Sequence, residues 1–202
     1  MPTLSKKETP SPYVPYEYPL NLKDWSGLVL VGEAPGKEEA LQKRPFVGRS
    51  GKLLDETLQK AGIDRQKCLV ANVFRLRPPE NKVDHFFSSR RAAKNAGQQI
   101  LEELGPFGSK WCLGEYSSEI NELRDVLKAV SPHVVIALGR TPLWALTGEN
   151  GILSKVGQRF DCRLCSGVPV IPTYHPSYIL RGNWGLQPQW IEHFHAAAQA
   201  HN

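Results

Sequence analysis

Apolar positions along this chain follow two rhythms. Runs with almost no polar interruption, "LVLVG" at 28–32, "CLVANVF" at 68–74, "HVVIALG" at 133–139 and the core of "GVPVIPTYHP" ending at His175, have the length and β-branched content of strands buried on both faces. Between them the spacing turns helical. "SGKLLDETLQKAG" at 50–62 puts Leu53, Leu54, Leu58 and Ala61 on one face, with Ser50 as the cap and Gly62 as the stop. Helical patterns also fill 90–104, 117–130 and 187–200, and "RTPLWALTG" predicts a further helix capped by Thr141 with Pro142 in its first turn. Strands alternating with helices predict an α/β fold: a single-domain three-layer α/β/α architecture around a central, mostly parallel sheet of about four strands.

Residues 1–24 break both rhythms. "ETPSPYVPYEYPL" holds four prolines among aromatic and polar residues, which favours an extended arm, either wrapped on the domain or loose, ahead of a domain spanning 25–202. A chain of 202 residues with 41% apolar content can bury one sizeable core. Twenty-five Lys and Arg against 20 Asp and Glu give a net charge of +5, which favours an anionic partner such as nucleic acid. No run approaches the roughly 18 to 20 apolar residues of a membrane span, and no apolar signal core stands at the N-terminus, so a cytoplasmic protein without a membrane partner is expected. The four cysteines, at 68, 112, 162 and 165, are too scattered for a disulfide framework and are expected to be reduced thiols.

In open parallel sheets ligands bind beyond the carboxyl ends of the strands, so the loops after Val31, Val73 and Tyr174 should converge on one cleft. They bring Glu33 and Phe46, then Asn72, Arg75 and Arg77 with "RPPEN", then "HPSYILR" from His175 to Arg181. A planar heterocycle on a phosphate backbone would use each type: an aromatic face to stack, an amide to read a donor and acceptor edge, cations and loop amides for phosphates. "GRSG" at 48–51 opens a helix, so its amides and Ser50 form a phosphate seat. Taken singly, each residue also suits a structural role, because Asn and His at strand ends commonly satisfy backbone groups.

The ordered set "GEAPG", "PFVG", "NVFRLRPPEN" and "TYHPSYILR" resembles the uracil-DNA glycosylase superfamily, most closely its family four, over roughly 28–81 and 131–200. The resemblance implies a catalytic set of Glu33, Asn72 and His175 and a uracil site of Ala34, Phe46, Asn72 and His175. Phe46 would stack on the base. Asn72 would bond the O4 and N3 edge and reject cytosine, whose mismatched donors and acceptors cost on the order of 1 to 3 kcal/mol per buried group. His175 would donate to O2 as a neutral imidazole. Ala34 stands where other families have an aspartate, which leaves Glu33 to position water or support a cationic sugar. DNA contacts would come from Pro35, Gly36, Ser50, Gly51, Arg75, Asn81, Ser177, Leu180 and Arg181, with Tyr178, Leu180 or Arg181 as the wedge that fills the hole left by the flipped base. The partners implied are uracil-containing DNA and free uracil as product, handled by a monomer.

The chain also departs from that family. Family-four members hold an iron–sulfur cluster on an N-terminal Cys-x-x-Cys and two later cysteines; here no cysteine precedes Cys68, Leu76 occupies the third place, and none stands near Glu119, the fourth. No cofactor and no metal are therefore expected. "FDCRLCSG" contains Cys162 and Cys165 in Cys-x-x-Cys spacing, but a metal would need two more ligands close by, and the end of a β-hairpin is the simpler expectation. Residues 82–114 look like an insert, with His85, Arg90, Arg91 and Lys94 forming either a DNA-contacting loop or a solvated helix start. A DNA-binding protein of the same fold that recognises or covalently traps uracil or abasic sites with little turnover is the alternative; a related branch of the superfamily uses a histidine in a basic loop at a place comparable to His85 to bond the abasic sugar, although the basic motif around His85 differs. A nucleotide-binding protein without a DNA role is a third reading.

Overall fold

The computed structural model describes residues 12–199. Its strands are β1 (Leu28–Gly32), β2 (Leu69–Asn72), β3 (Phe87–Ser88), β4 (Trp111–Cys112), β5 (Val134–Leu138), β6 (Phe160–Asp161) and β7 (Pro169–Thr173), and its α-helices are α1 (Lys37–Gln42), α2 (Gly48–Lys60), α3 (Arg90–Asn95), α4 (Ser117–Val130), α5 (Arg140–Thr147), α6 (Pro176–Leu180) and α7 (Gln187–Gln199). The four apolar runs become the parallel strands of a sheet ordered β2-β1-β5-β7-β6, with β6 antiparallel at the edge. Every residue of those four strands is buried, because helices cover both faces.

Alternation along the strands sorts their side chains between two cores. Val29, Val31, Leu69, Ala71, Val135 and Ala137 face α4 and α5, where Ile120, Leu123, Leu127 and Trp144 are buried. Leu28, Leu30, Val70, Val134 and Ile136 face α2, α6 and α7, meeting Leu54, Leu58, Ile179, Trp190 and Phe194. Each fully buried leucine contributes about 2 kcal/mol of transfer free energy. This is the three-layer α/β/α arrangement. Among the described residues, no helix is long and apolar enough to cross a membrane.

Several local expectations need correction. The sheet has a fifth strand, Phe160–Asp161, too short and too polar to show in the pattern. The helix expected over 90–104 ends at Asn95; Gly97 turns at φ 65° and the chain continues through an isolated bridge and a 3-10 turn. Neither Ser50 nor Thr141 is a cap, since α2 starts from Val47 and α5 from Gly139, leaving both hydroxyls inside a first turn. The segment after the asparagine loop folds as a small unit of its own, with β3 pairing antiparallel to β4. Its aromatics are structural: Phe86 stacks on Phe74 at 4.0 Å, and Phe87 on Phe107 at 4.5 Å. Cys162 and Cys165 flank the turn joining β6 to β7, where the Cys162 amide donates to the Val168 carbonyl at 2.9 Å.

The proline-rich arm is docked along its described part; residues 1–11 lie outside the described residues. Glu17 and Val70 exchange backbone hydrogen bonds, both 2.8 Å, and the amides of Val14 and Leu20 donate to Arg75 and Gln66 carbonyls. These bonds occupy the otherwise open edge of β2, which is how a sheet avoids pairing with other chains.

Candidate active site

The chain leaves β1 for β2 on one side and later returns to place β5 on the other, so the loops beyond β1 and β5 diverge and open a crevice. Glu33 stands there, one residue past β1. The Thr141 hydroxyl, in the first turn of α5, donates to its Oε2 at 2.5 Å from the opposite lip. Burial pushes the Glu33 carboxyl above its ordinary value, against the opposing pull of the Thr141 bond and of nearby Arg140 and Arg181.

A cavity of about 380 Å³ opens beside Glu33, within the size range of small-molecule sites. Its walls bring together Glu33, Ala34, Pro35, Gly36, Phe46, Ser50, Asn72, Asn81, His175, Ser177 and Arg181, gathered from four separate loops. Asn72 and Phe46 are each only 5% exposed. Among the described residues the Asn72 carboxamide has no hydrogen-bond partner. The group lines the cavity and is open to it, unlike the sealed, unsatisfied Tyr16 hydroxyl and the Trp25 and Trp190 indole N–H groups. Two glycines make the arrangement possible. A Cβ on Gly32 would stand 2.4 Å from both Asn72 Oδ1 and Phe46 Cζ, and one on Gly51 would stand 2.0 Å from the Phe46 carbonyl oxygen. Phe46 itself turns through φ 49°, a left-handed conformation costly for a side chain of its size. Its ring centroid lies 5.9 Å from that of His175, the two planes inclined at 36°, and both residues line the cavity.

His175 caps α6, and the Ser177 amide donates to its Nδ1 at 3.1 Å, with the Ser177 hydroxyl 2.8 Å from the same atom. A backbone N–H can only donate, so Nδ1 is an acceptor and the ring proton of the neutral imidazole sits on Nε2. Burial, with a smaller contribution from Arg181, lowers the His175 pKa to about 4, which keeps the ring neutral at physiological pH. A second cavity of about 410 Å³ shares Glu33, His175, Ser177 and Arg181 and adds Arg140, Leu153, Tyr174 and Tyr178.

Not every expected residue reaches the cavity. Arg75 turns away: its Nη2 meets buried Glu119 at 3.1 Å and its Nη1 meets Glu122 at 3.2 Å, while its guanidinium covers the rings of Tyr13 and Tyr16. Its guanidinium is thus engaged by two carboxylates and two aromatic rings. Leu180 lines neither cavity and packs partly against the α2–α7 core, leaving Tyr178 and Arg181 at the openings. Gly51 lies beneath the Phe46 carbonyl, a spacer with no exposed surface toward a phosphate. His85 also lines neither cavity; its Nε2 meets the Tyr116 hydroxyl at 3.0 Å. Conversely, Thr141, Arg140 and Arg65 carry site geometry that sequence reasoning missed. The Thr141 contact spans 108 positions and has no local signal.

The residues do not fit an iron–sulfur cluster. Leu76 packs against the apolar core and pairs with Tyr13 across the arm, and the Glu119 carboxylate accepts from the Arg75 amide, Nε and Nη2. The thiols are dispersed, and burial pushes Cys68 up to about 11 and Cys112 up to about 12, which disfavours the thiolate that a cluster requires. Among the described residues, no group of three or more His, Cys, Asp or Glu is placed to hold a metal.

Fold and site together define an α/β protein with a pocket at the sheet's carboxyl edge, lined by an aromatic ring, a carboxamide, an imidazole and a carboxylate. The sequence model of the Uracil DNA glycosylase superfamily matches residues 21–199, and the chain belongs to that superfamily. It is similar to proteins named Type-4 uracil-DNA glycosylase from Thermotoga maritima (35% identical over 156 residues, 76% of this chain and 66% of the relative), Archaeoglobus fulgidus (31% over 159 residues, 76% and 66%) and Pyrobaculum aerophilum (29% over 161 residues, 77% and 68%). The match thus spans just under two thirds of the length of the first two.

Proposed function

We propose that the chain is a monofunctional uracil-DNA glycosylase, hydrolysing the N-glycosidic bond of a flipped deoxyuridine to release uracil and leave an abasic site. The observation that carries this reading is the buried, unpartnered Asn72 carboxamide beside the Phe46 ring. A uracil stacked on Phe46 can donate its N3–H to the Asn72 oxygen and accept the amide N–H at O4. Cytosine presents the opposite pattern at both positions.

As the C1′–N1 bond breaks, its electron pair moves into the base and charge grows on O2, where the His175 Nε2–H donates. Water adds to C1′ and gives its proton to Glu33, whose raised pKa makes it the stronger base and whose other oxygen is held by Thr141. No step needs a metal. Among the described residues no lysine lines either cavity, which supports hydrolysis over an amine-dependent lyase. Ser50, Asn81, Ser177 and Arg181 at the rim suit phosphates, with Pro35 and Gly36 closing the loop side. The form proposed for the chain is a cytoplasmic monomer.

Oligonucleotides carrying one deoxyuridine test the proposal. Treated with the protein and then alkali, they should break at the uracil, with no added metal and in the presence of a chelator. Intact strands in every uracil context would overturn catalysis and leave a non-catalytic DNA binder; a heat-stable protein–DNA band would instead mark covalent trapping.

A further inference from the structure

The arm and the loop that carries Phe46 are joined by one guanidinium. Arg65, just before β2 and 10% exposed at its side chain, donates from Nη2 to the Pro45 carbonyl at 2.7 Å and from Nη1 to the Phe46 carbonyl at 3.0 Å. The same group donates to Glu17 of the arm through Nε at 3.2 Å and Nη2 at 2.8 Å, and to Asp55 of α2 through Nη1 at 2.7 Å. Glu17 in turn receives two bonds from Arg44, both 2.8 Å, on the far side of Pro45. Glu17 cannot drift, because its backbone is registered to Val70 of β2 by reciprocal hydrogen bonds.

This network surrounds a backbone that would not hold itself. Phe46 occupies a left-handed conformation, and such residues persist only where their surroundings over-determine them. Neither Arg65 nor Glu17 lines either cavity, so neither is a candidate for touching substrate. What Arg65 fixes is the peptide from which the stacking ring projects, and what Glu17 fixes is Arg65.

We propose that Arg65 and Glu17 are positioning residues that hold Phe46 at stacking height, which makes the N-terminal arm a working part of the base pocket. The proposal rests on the reading of Phe46 as the stacking ring.

A double-mutant cycle on the full chain tests it, reading single-turnover uracil release from a deoxyuridine oligonucleotide and inhibition by free uracil. Arg65→Gln is expected to slow release about tenfold or more and to weaken uracil inhibition similarly, while affinity for an oligonucleotide with a tetrahydrofuran abasic site stays unchanged. In a Phe46→Ala background the same change should cost little further, because the ring it positions is gone. Glu17→Gln, which keeps the arm docked through its backbone, should act in the same direction with a smaller loss. Arg65→Lys should recover part of it. Full additivity of Arg65→Gln with Phe46→Ala, or equal losses in abasic-site affinity, would overturn the proposal. Should Arg65→Gln fail to fold, the Glu17→Gln cycle decides. If the wild-type chain releases no uracil, the glycosylase reading fails by itself. The positioning is then read from the fluorine resonance of 4-fluorophenylalanine at position 46, which Glu17→Gln must shift or broaden if the network holds the ring.

Discussion

Glu33 is held where its charge weakens the fold. Burial raises its pKa in the folded chain above the unfolded value, so the folded state takes up the proton more readily. The sign follows: the ionised form destabilises the protein above that raised pKa, and stability is regained as pH falls through it. Glu33→Gln keeps an oxygen for the Thr141 hydroxyl and removes the charge. It is expected to raise Tm at neutral pH by about 2 to 4 °C while lowering single-turnover excision about a hundredfold or more, a divergence that calorimetry and kinetics on one sample would reveal. In the wild type, excision should fall on the acid side with a midpoint above the ordinary 4.5, since protonated Glu33 cannot accept from water. His175 stays neutral until near pH 4, so it does not set that limb. His175→Ala should slow cleavage far more than it weakens binding of a non-cleavable uracil analogue, because the charge it meets grows only during bond breaking. A near-wild-type single-turnover rate would return His175 to the role of helix cap alone.

At the scale of elements, the pocket depends on how closely the end of β1 and the start of α2 approach the Phe46 loop. Gly32 closes β1, and a methyl group there would stand 2.4 Å from both the Asn72 oxygen and the Phe46 ring. Gly32→Ala is therefore expected to weaken binding of a non-cleavable uracil analogue about tenfold or more, with the sheet intact by circular dichroism. Gly51→Ala attacks from below, forcing a methyl against the Phe46 carbonyl within the first turn of α2. On the opposite face of the sheet, α4 delivers Glu119 to Arg75. Glu119→Ala would leave Arg75 without its buried partner and should destabilise the fold by about 3 kcal/mol, the low end for a broken buried pair because the Arg75 side chain keeps 21% exposure. Denaturant unfolding measures the loss, and excision normalised to folded protein should change little, since neither residue lines the cavity.

For the whole molecule, the proposed DNA substrate together with the net charge of +5 predicts an affinity that falls steeply with salt, read from binding isotherms at several salt concentrations. Because Leu76, Glu119 and the dispersed thiols do not make a cluster site, the purified protein should be colourless with an iron to protein ratio near zero; stoichiometric iron would contradict that fit. The four parallel strands, α4, α7 and the residues at the carboxyl edge were legible in the chain, since each follows from the local periodicity of apolar side chains or from motif residues that a parallel sheet brings to its edge by topology. Asn72, Phe46, Glu33 and His175 share one cavity for that reason. What the tertiary structure alone decided is where charged and polar side chains find partners. Arg75 was expected at phosphate and instead meets a carboxylate 44 positions away; Thr141 was expected as a cap and instead holds Glu33; Arg65, which no motif singled out, holds the carbonyls of Pro45 and Phe46. Apolar burial is read from the rhythm of one segment because either core accepts any side chain of suitable size, whereas a hydrogen bond between distant segments needs two specific atoms within about 3 Å, a condition set only once both segments are folded.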